Sequence, residues 1–209
     1  MFDSGISVKD LIYELKNTEI DIALDIPNAT YVTWLNALQQ LLYTEIIKEQ
    51  KKVEINATTL QNPLNLYSIR AGNESTPRFE DIHAVYADGI QLLKTSLTNG
   101  VIFPNTFYKI DNELGYNTDF SPSKLTIVYF VRPEIIEADK EDVIDKSNVM
   151  IPIEFIDLVK AKLRGEAYKL ANEDGIAAKW LNDYNVLLET FKSWCASKYP
   201  KDNFATFGM

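Results

Sequence analysis

The chain has 209 residues, 46% of them hydrophobic and 24% charged, with a formal net charge of −9 and one cysteine. That length and mixture suit a globular protein with one sizeable core, or a domain carrying a large insertion. No apolar run approaches the roughly 18 residues needed to cross a bilayer, so no membrane role is expected. Met1-Phe2-Asp3-Ser4-Gly5 lacks the basic start and apolar stretch of a secretion signal. A lone Cys195 cannot form an intrachain disulfide, which fits a reducing compartment. Only four arginines occur, Arg70, Arg78, Arg132 and Arg164. Phosphate recognition relies on arginine forks and basic patches, so sequence-specific nucleic-acid binding is rejected.

In chain order, Ser7 and Asp10 form a capping-box pattern ahead of Val8, Leu11, Ile12 and Leu15, which predicts a short helix ending near Asn17-Thr18-Glu19. Pro27-Asn28-Ala29-Thr30 then opens a stronger helix of roughly 20 residues, about 30 Å long. Its inward residues are predicted to be Trp34, Leu35, Leu38, Leu41, Leu42, Glu45 and Ile46, with Gln39, Gln40 and Glu49 on the opposite side.

Near Lys51 the hydrophobic period changes from 3.6 to 2. Lys52–Asn56 alternates as a half-buried strand does, and Ile82–Tyr86 reads as another. Asp88-Gly89 predicts a tight turn into Ile90–Leu93, and Asp111-Asn112 joins Phe107–Ile110 to Glu113–Tyr116 as a second hairpin. Lys124–Arg132 is the clearest strand: Leu125, Ile127, Tyr129 and Val131 share one face, with Val128 and Phe130 on the other, as in a central strand. Pro133 stops it. Glu134–Asn148 follows with six acids and reads as a solvated loop, sometimes one that a partner orders.

Pro152 opens a third helix with Phe155, Val159, Leu163, Ala167 and Leu170 at helical spacing. The break Asn172-Glu173-Asp174-Gly175 leads into a fourth, whose stripe is Ile176, Trp180, Tyr184, Leu187, Leu188, Phe191 and Trp194. The short connection makes these two helices antiparallel neighbours. Pro200 ends the last helix, and Phe204, Phe207 and Met209 lie in a tail with no period of its own. The fold class is therefore α+β. Residues 1–50 and 151–199 each give two helices of a bundle, 51–150 form an antiparallel β-rich insertion with the acidic loop, and 200–209 form a docking tail.

No residue pattern carries catalysis. Glu80-x-x-His83 has the spacing of a di-iron helix motif, but it has no second copy and falls on a predicted strand. Asp139–Asp145 and Asp111-x-Glu113-x-Gly115 lack the spacing of a calcium loop. Cys195, beside Trp194, reads as core, and no glycine-rich phosphate loop occurs. Trp34, Trp180, Tyr184, Phe191 and Trp194 likewise read as core. Catalytic, cofactor and metal residues are thus assigned to none. Partner binding is assigned to Tyr199, Phe204, Phe207 and Met209, since apolar residues in an aperiodic tail either fold back or dock.

The order of parts resembles a known family. Two N-terminal helices precede a β-rich insert with Tyr108-Lys109-Ile110-Asp111 and Leu125-Thr126-Ile127-Val128-Tyr129, followed by Pro133. Then come Ile151-Pro152-Ile153-Glu154-Phe155-Ile156, Leu163, Ala167-Tyr168-Lys169 and a helix ending in an aromatic stripe. This resembles the head-to-tail adaptor proteins of tailed bacteriophages, of the tail tubular A-like class. The resemblance implies a non-enzymatic virion protein, assembled in the host cytoplasm. It implies a homo-oligomeric ring, commonly a dodecamer of twelve subunits, between the portal protein and the tail (nozzle or tube) protein. DNA would pass through without sequence-specific binding, and an acidic conduit would not hold its cargo. Two other readings stand beside it: an enzyme with a dispersed carboxylate site, and a small acidic monomeric binding module using its β-insert.

Overall fold

A computed structural model describes residues 4–18, 26–59, 62–66, 82–96 and 103–198. The chain divides into a helical unit, drawn from Met1–Lys48 and Arg132–Met209, and a β unit, Glu49–Val131. The α+β class and the placing of helices at both ends of a sheet-forming insert agree with the sequence reading.

In the helical unit, α1 spans Val8–Thr18. The Ser7 hydroxyl accepts the Asp10 N–H at 3.0 Å, the cap that the sequence predicts. Val8, Leu11, Ile12 and Leu15 are buried, also as predicted. Helix α2, Asn28–Leu42, runs on through a π-helical turn, Tyr43–Ile47, and stops at Lys48, whose φ is +48°. Its buried face differs from the predicted one. Tyr31, Val32, Leu35, Leu38, Gln39, Leu42, Tyr43 and Ile47 are inside, while Leu41 is 51% exposed and Glu45 also faces water. The wider π turn advances the register by one residue, so Ile47 rather than Ile46 enters the core.

Pro152 is followed by a 3₁₀ turn, Ile153–Phe155, and then α4, Ile156–Leu170. Val159, Leu163 and Ala167 are buried as predicted, but Leu158, Ala161, Gly165 and Tyr168 are buried too. Helix α4 packs against α1, α2 and the final helix, so a single apolar stripe would not suffice. Leu170, predicted to be inside, is 57% exposed because it lies in the last turn. Asn172, with φ +62°, reverses the chain into α5, Asp174–Lys198. Gly165 lets α4 and α5 approach: a Cβ there would sit 2.7 Å from Leu181 Cδ2. Ala177, Tyr184, Phe191 and Cys195 form the buried line of α5. Ile176 is turned outward, and Trp180 is half-buried beneath the Arg164 guanidinium, 4.7 Å from the ring centroid. Phe191 meets Phe155 edge to face at 4.8 Å and stacks near Trp194 at 6.1 Å.

The acidic segment belongs to this helical unit, not to the β-rich insertion, a correction to the boundary at residue 150. It contains a short helix, α3, Glu141–Ile144, and buries Ile136, Ile144 and Val149. Glu134, Glu137, Asp139, Glu141 and Asp145 remain exposed, so its acids are solvated while its backbone is fixed.

The β unit is a seven-stranded sheet in the order β1-β7-β3-β4-β5-β6-β2. The strands are β1 Gln50–Asn56, β2 Leu64–Asn65, β3 Ile82–Ala87, β4 Ile90–Lys94, β5 Thr106–Ile110, β6 Glu113–Asn117 and β7 Lys124–Phe130. Strand β7 pairs with β1 and β3, the central position predicted for it. Asp88 and Gly89 have φ of +47° and +86°, which gives β3–β4 a two-residue hairpin of the primed type. Asp111, with φ +46°, turns β5 into β6. One pairing departs from the antiparallel expectation: β4 and β5 run parallel, with Leu93 opposite Thr106 and Lys94 opposite Phe107. Val85, Leu92, Phe107, Leu114, Leu125 and Ile127 lie at the heart of the core.

Candidate functional surfaces

The residues assigned to partner binding, Tyr199, Phe204, Phe207 and Met209, lie outside the described residues, as does Glu80. His83 is exposed on β3 and meets Phe130 edge to face at 5.2 Å. Cys195 is 2% exposed, and burial pushes its thiol up to about 11, which suits a core residue and not a nucleophile. Asp111 and Glu113 serve the β5–β6 turn. Among the described residues, no three or more of His, Cys, Asp and Glu gather as metal ligands, and no helix is long and apolar enough to cross a membrane.

The feature least visible in the sequence is a row of amides on α2. Asn36 brackets the Ile136 peptide groups: its Nδ2 donates to the Ile136 carbonyl at 2.8 Å, and its Oδ1 accepts the Ile136 N–H at 3.0 Å. Gln40 Nε2 donates to the Pro133 carbonyl at 2.8 Å, and Gln39 Oε1 accepts the Met150 N–H at 2.6 Å. These side chains take the place of a neighbouring strand for a segment with little regular structure of its own. Lys9 Nζ adds an ion pair with Asp145 at 3.1 Å, and Val8 N–H donates to the Ser147 carbonyl at 2.8 Å. Gln39 is wholly buried, and its Nε2 has no hydrogen-bond partner. The spacing 36, 39, 40 was the available signal, since amides at i, i+3 and i+4 share one helix face.

On the β unit, Asp88 ties the β3–β4 turn to the start of β7. Its carboxylate accepts the Ser123 N–H at 2.9 Å, the Ser123 hydroxyl at 2.7 Å and the Lys124 N–H at 2.8 Å. The Ser123 bonds above all hold its carboxyl below the usual value. This perturbation serves a turn.

Beside that tie opens a cleft of ≈ 510 Å³. Thr58, Asn62, Tyr116, Thr118, Phe120 and Ser123 are among its lining residues, and among the described residues no Asp, Glu, Lys or Arg lines it. Asn62 fixes one wall to another: its Nδ2 donates to the Tyr116 carbonyl at 2.7 Å, and its Oδ1 accepts the Tyr116 N–H at 3.2 Å. Elsewhere on the unit, Leu93 of β4 and Phe103, just before β5, are 70% and 63% exposed, and Ile90 and Ile110 also face water. No protein-family model matches the chain, and no curated protein matches it.

Proposed function

We propose that the chain is a structural virion protein, a head-to-tail adaptor that forms a ring between portal and tail. One observation carries the reading. Both ends of the chain build a helical unit, and the β unit inserted between them leaves Ile90, Leu93, Phe103 and Ile110 in water along two adjacent strands and their approach. Exposed large apolar residues on adjacent strands support an association role for this unit. A net charge of −9 with four arginines suits a conduit that lets DNA pass without gripping it. The reading includes the portal protein and the tail (nozzle or tube) protein as partners, a twelve-subunit ring, assembly in the host cytoplasm and a non-enzymatic role. Tyr199, Phe204, Phe207 and Met209 are its docking residues.

The test is native mass spectrometry of the full chain, alone and mixed with a portal protein from a tailed phage whose genome encodes the chain. A closed oligomer whose mass is a fixed multiple of the chain, formed on the portal and lost in Leu93→Asp/Phe103→Asp, supports the adaptor. A monomer that ignores the portal contradicts it. A second reading, a binding module acting through its β unit, is favoured by the neutral cleft beside Phe120.

A further inference from the structure

We infer that the cleft of the β unit is a binding site for a neutral saccharide. Four features of its walls point to that chemistry, none of them dependent on the adaptor reading. The first is the character of the described lining residues: none of them carries a carboxylate, ammonium or guanidinium group. A charged ligand would lose hydration against these residues with no opposite charge from them to offset the loss.

The second is the state of its hydroxyls. Thr58 Oγ1 donates to Asn56 Oδ1 at 2.7 Å, Thr118 Oγ1 to the Phe120 carbonyl at 2.5 Å, and Ser123 Oγ to Asp88 Oδ1 at 2.7 Å. A hydroxyl has one proton to donate and two lone pairs to accept. With the protons committed inside the protein, these three oxygens meet a ligand as acceptors. The complementary ligand is rich in neutral donors, as the hydroxyls of a sugar are.

Third, Phe120 adds aromatic surface to this polar lining. A pyranose presents both a polar rim and an apolar C–H face, and a ring beside hydroxyls matches both. Phe120 is half-buried against the core of the β unit, so it is held in place as a platform.

The fourth feature is rigidity. Asn62 pins the β2 side to β6. Asp88 pins Ser123 and Lys124, and the Ala57 N–H donates to the Ser123 carbonyl at 2.9 Å. Walls fixed before binding spare a weak ligand the cost of ordering them. The volume, ≈ 510 Å³, lies within the roughly 300–1,000 Å³ of small-molecule sites and accommodates a disaccharide.

The experiment is ¹⁵N NMR titration of the full chain with maltose and with N,N′-diacetylchitobiose, beside galacturonic acid as the charged comparison. Fast-exchange shifts confined to Thr58, Asn62 and 116–123, saturating in the millimolar range, are expected for at least one neutral disaccharide. The acid is expected to bind at least about tenfold more weakly, since it adds a charge the walls cannot meet. Phe120→Ala should remove the response while the remaining resonances keep their positions. Ser121→Arg, a change at an exposed lining position, should block the cleft without touching the core. No shift with either disaccharide overturns the inference, as does an undiminished response in both variants or a preference for the acid. A ring that forms on the portal while the cleft stays silent would sink the saccharide site alone.

Discussion

The two units solve one problem, the satisfaction of an irregular chain, by different means. In the β unit, backbone pairs with backbone across seven strands, and side chains such as Asp88 and Asn62 only close the gaps at turns. In the helical unit, the segment after Pro133 pairs with backbone near its end, where Ser7 and Asn148 form an antiparallel bridge, and the Asn36, Gln40 and Gln39 amides of α2 partner Ile136, Pro133 and Met150. The contrast teaches that a polar helix face need not be a wet one. Amides at helical spacing can line a core, each of these three making at least one hydrogen bond to the facing segment.

The largest effect is expected in the aromatic cluster between α4 and α5. Phe191 is fully buried between Phe155 and Trp194, so Phe191→Ala should cost about 3–5 kcal/mol in urea denaturation. Trp180 reads as core in the sequence, but it is half-buried and shares its ring with Arg164. Trp180→Ala is therefore expected to cost only about 1–2 kcal/mol. Equal losses would mean that α5 buries its whole stripe evenly.

A sharper test of the contrast is Gln39, replaced in two ways. Gln39→Ala removes the acceptor for the Met150 N–H and leaves a void, with an expected loss of about 2–4 kcal/mol. Gln39→Leu keeps the volume and removes the unpaired Nε2 but still orphans the Met150 N–H, so its loss should be about 1–2 kcal/mol, below that of Gln39→Ala. If the two variants are equally stable, Gln39 is not packed as described.

Apart from β2, Leu64–Asn65, which was not foreseen, the β elements were legible in the sequence to within a residue or two. Period-2 alternation and the dipeptides Asp88-Gly89 and Asp111-Asn112 act locally, and the strands they bound formed where those signals lie. The parallel β4–β5 pairing was not legible, because no local signal fixes which distant strand pairs with which. Helices were legible in position but less so in orientation. The face that α2 buries depends on α4 and on the segment at 133–150, and the π turn shifts its register midway. The cleft was missed for a similar reason. Thr58, Asn62 and Phe120 are unremarkable apart, and only the pairing of β2 with β6 and of β1 with β7 brings them together.

A smaller effect should follow pH. Asp88 has a folded-state pKa held below its ordinary value of 3.8, first by Ser123 and then by Lys124. Its contribution is therefore complete above the ordinary value and is lost as the pH falls through the lower folded-state value. In urea melts, the midpoint gap between wild type and Asp88→Asn should be constant from neutral pH to about pH 5 and shrink below about pH 4. A gap that widens on acidification would reverse the sign assigned to this carboxylate.

In the helical unit the amide row of α2 holds the acidic segment, and backbone hydrogen exchange reads that directly. In the full chain, the Ile136 and Met150 amides, which donate to Asn36 and Gln39, should exchange far more slowly than unstructured amides. Asn36→Ala should speed exchange at Ile136 by at least about tenfold, as loss of one such bond implies, and leave the protected amides of β1 and β7 unchanged. Exchange of Ile136 at unprotected rates in the wild-type chain would contradict the account, because the segment would then be a solvated loop with α2 bare beside it.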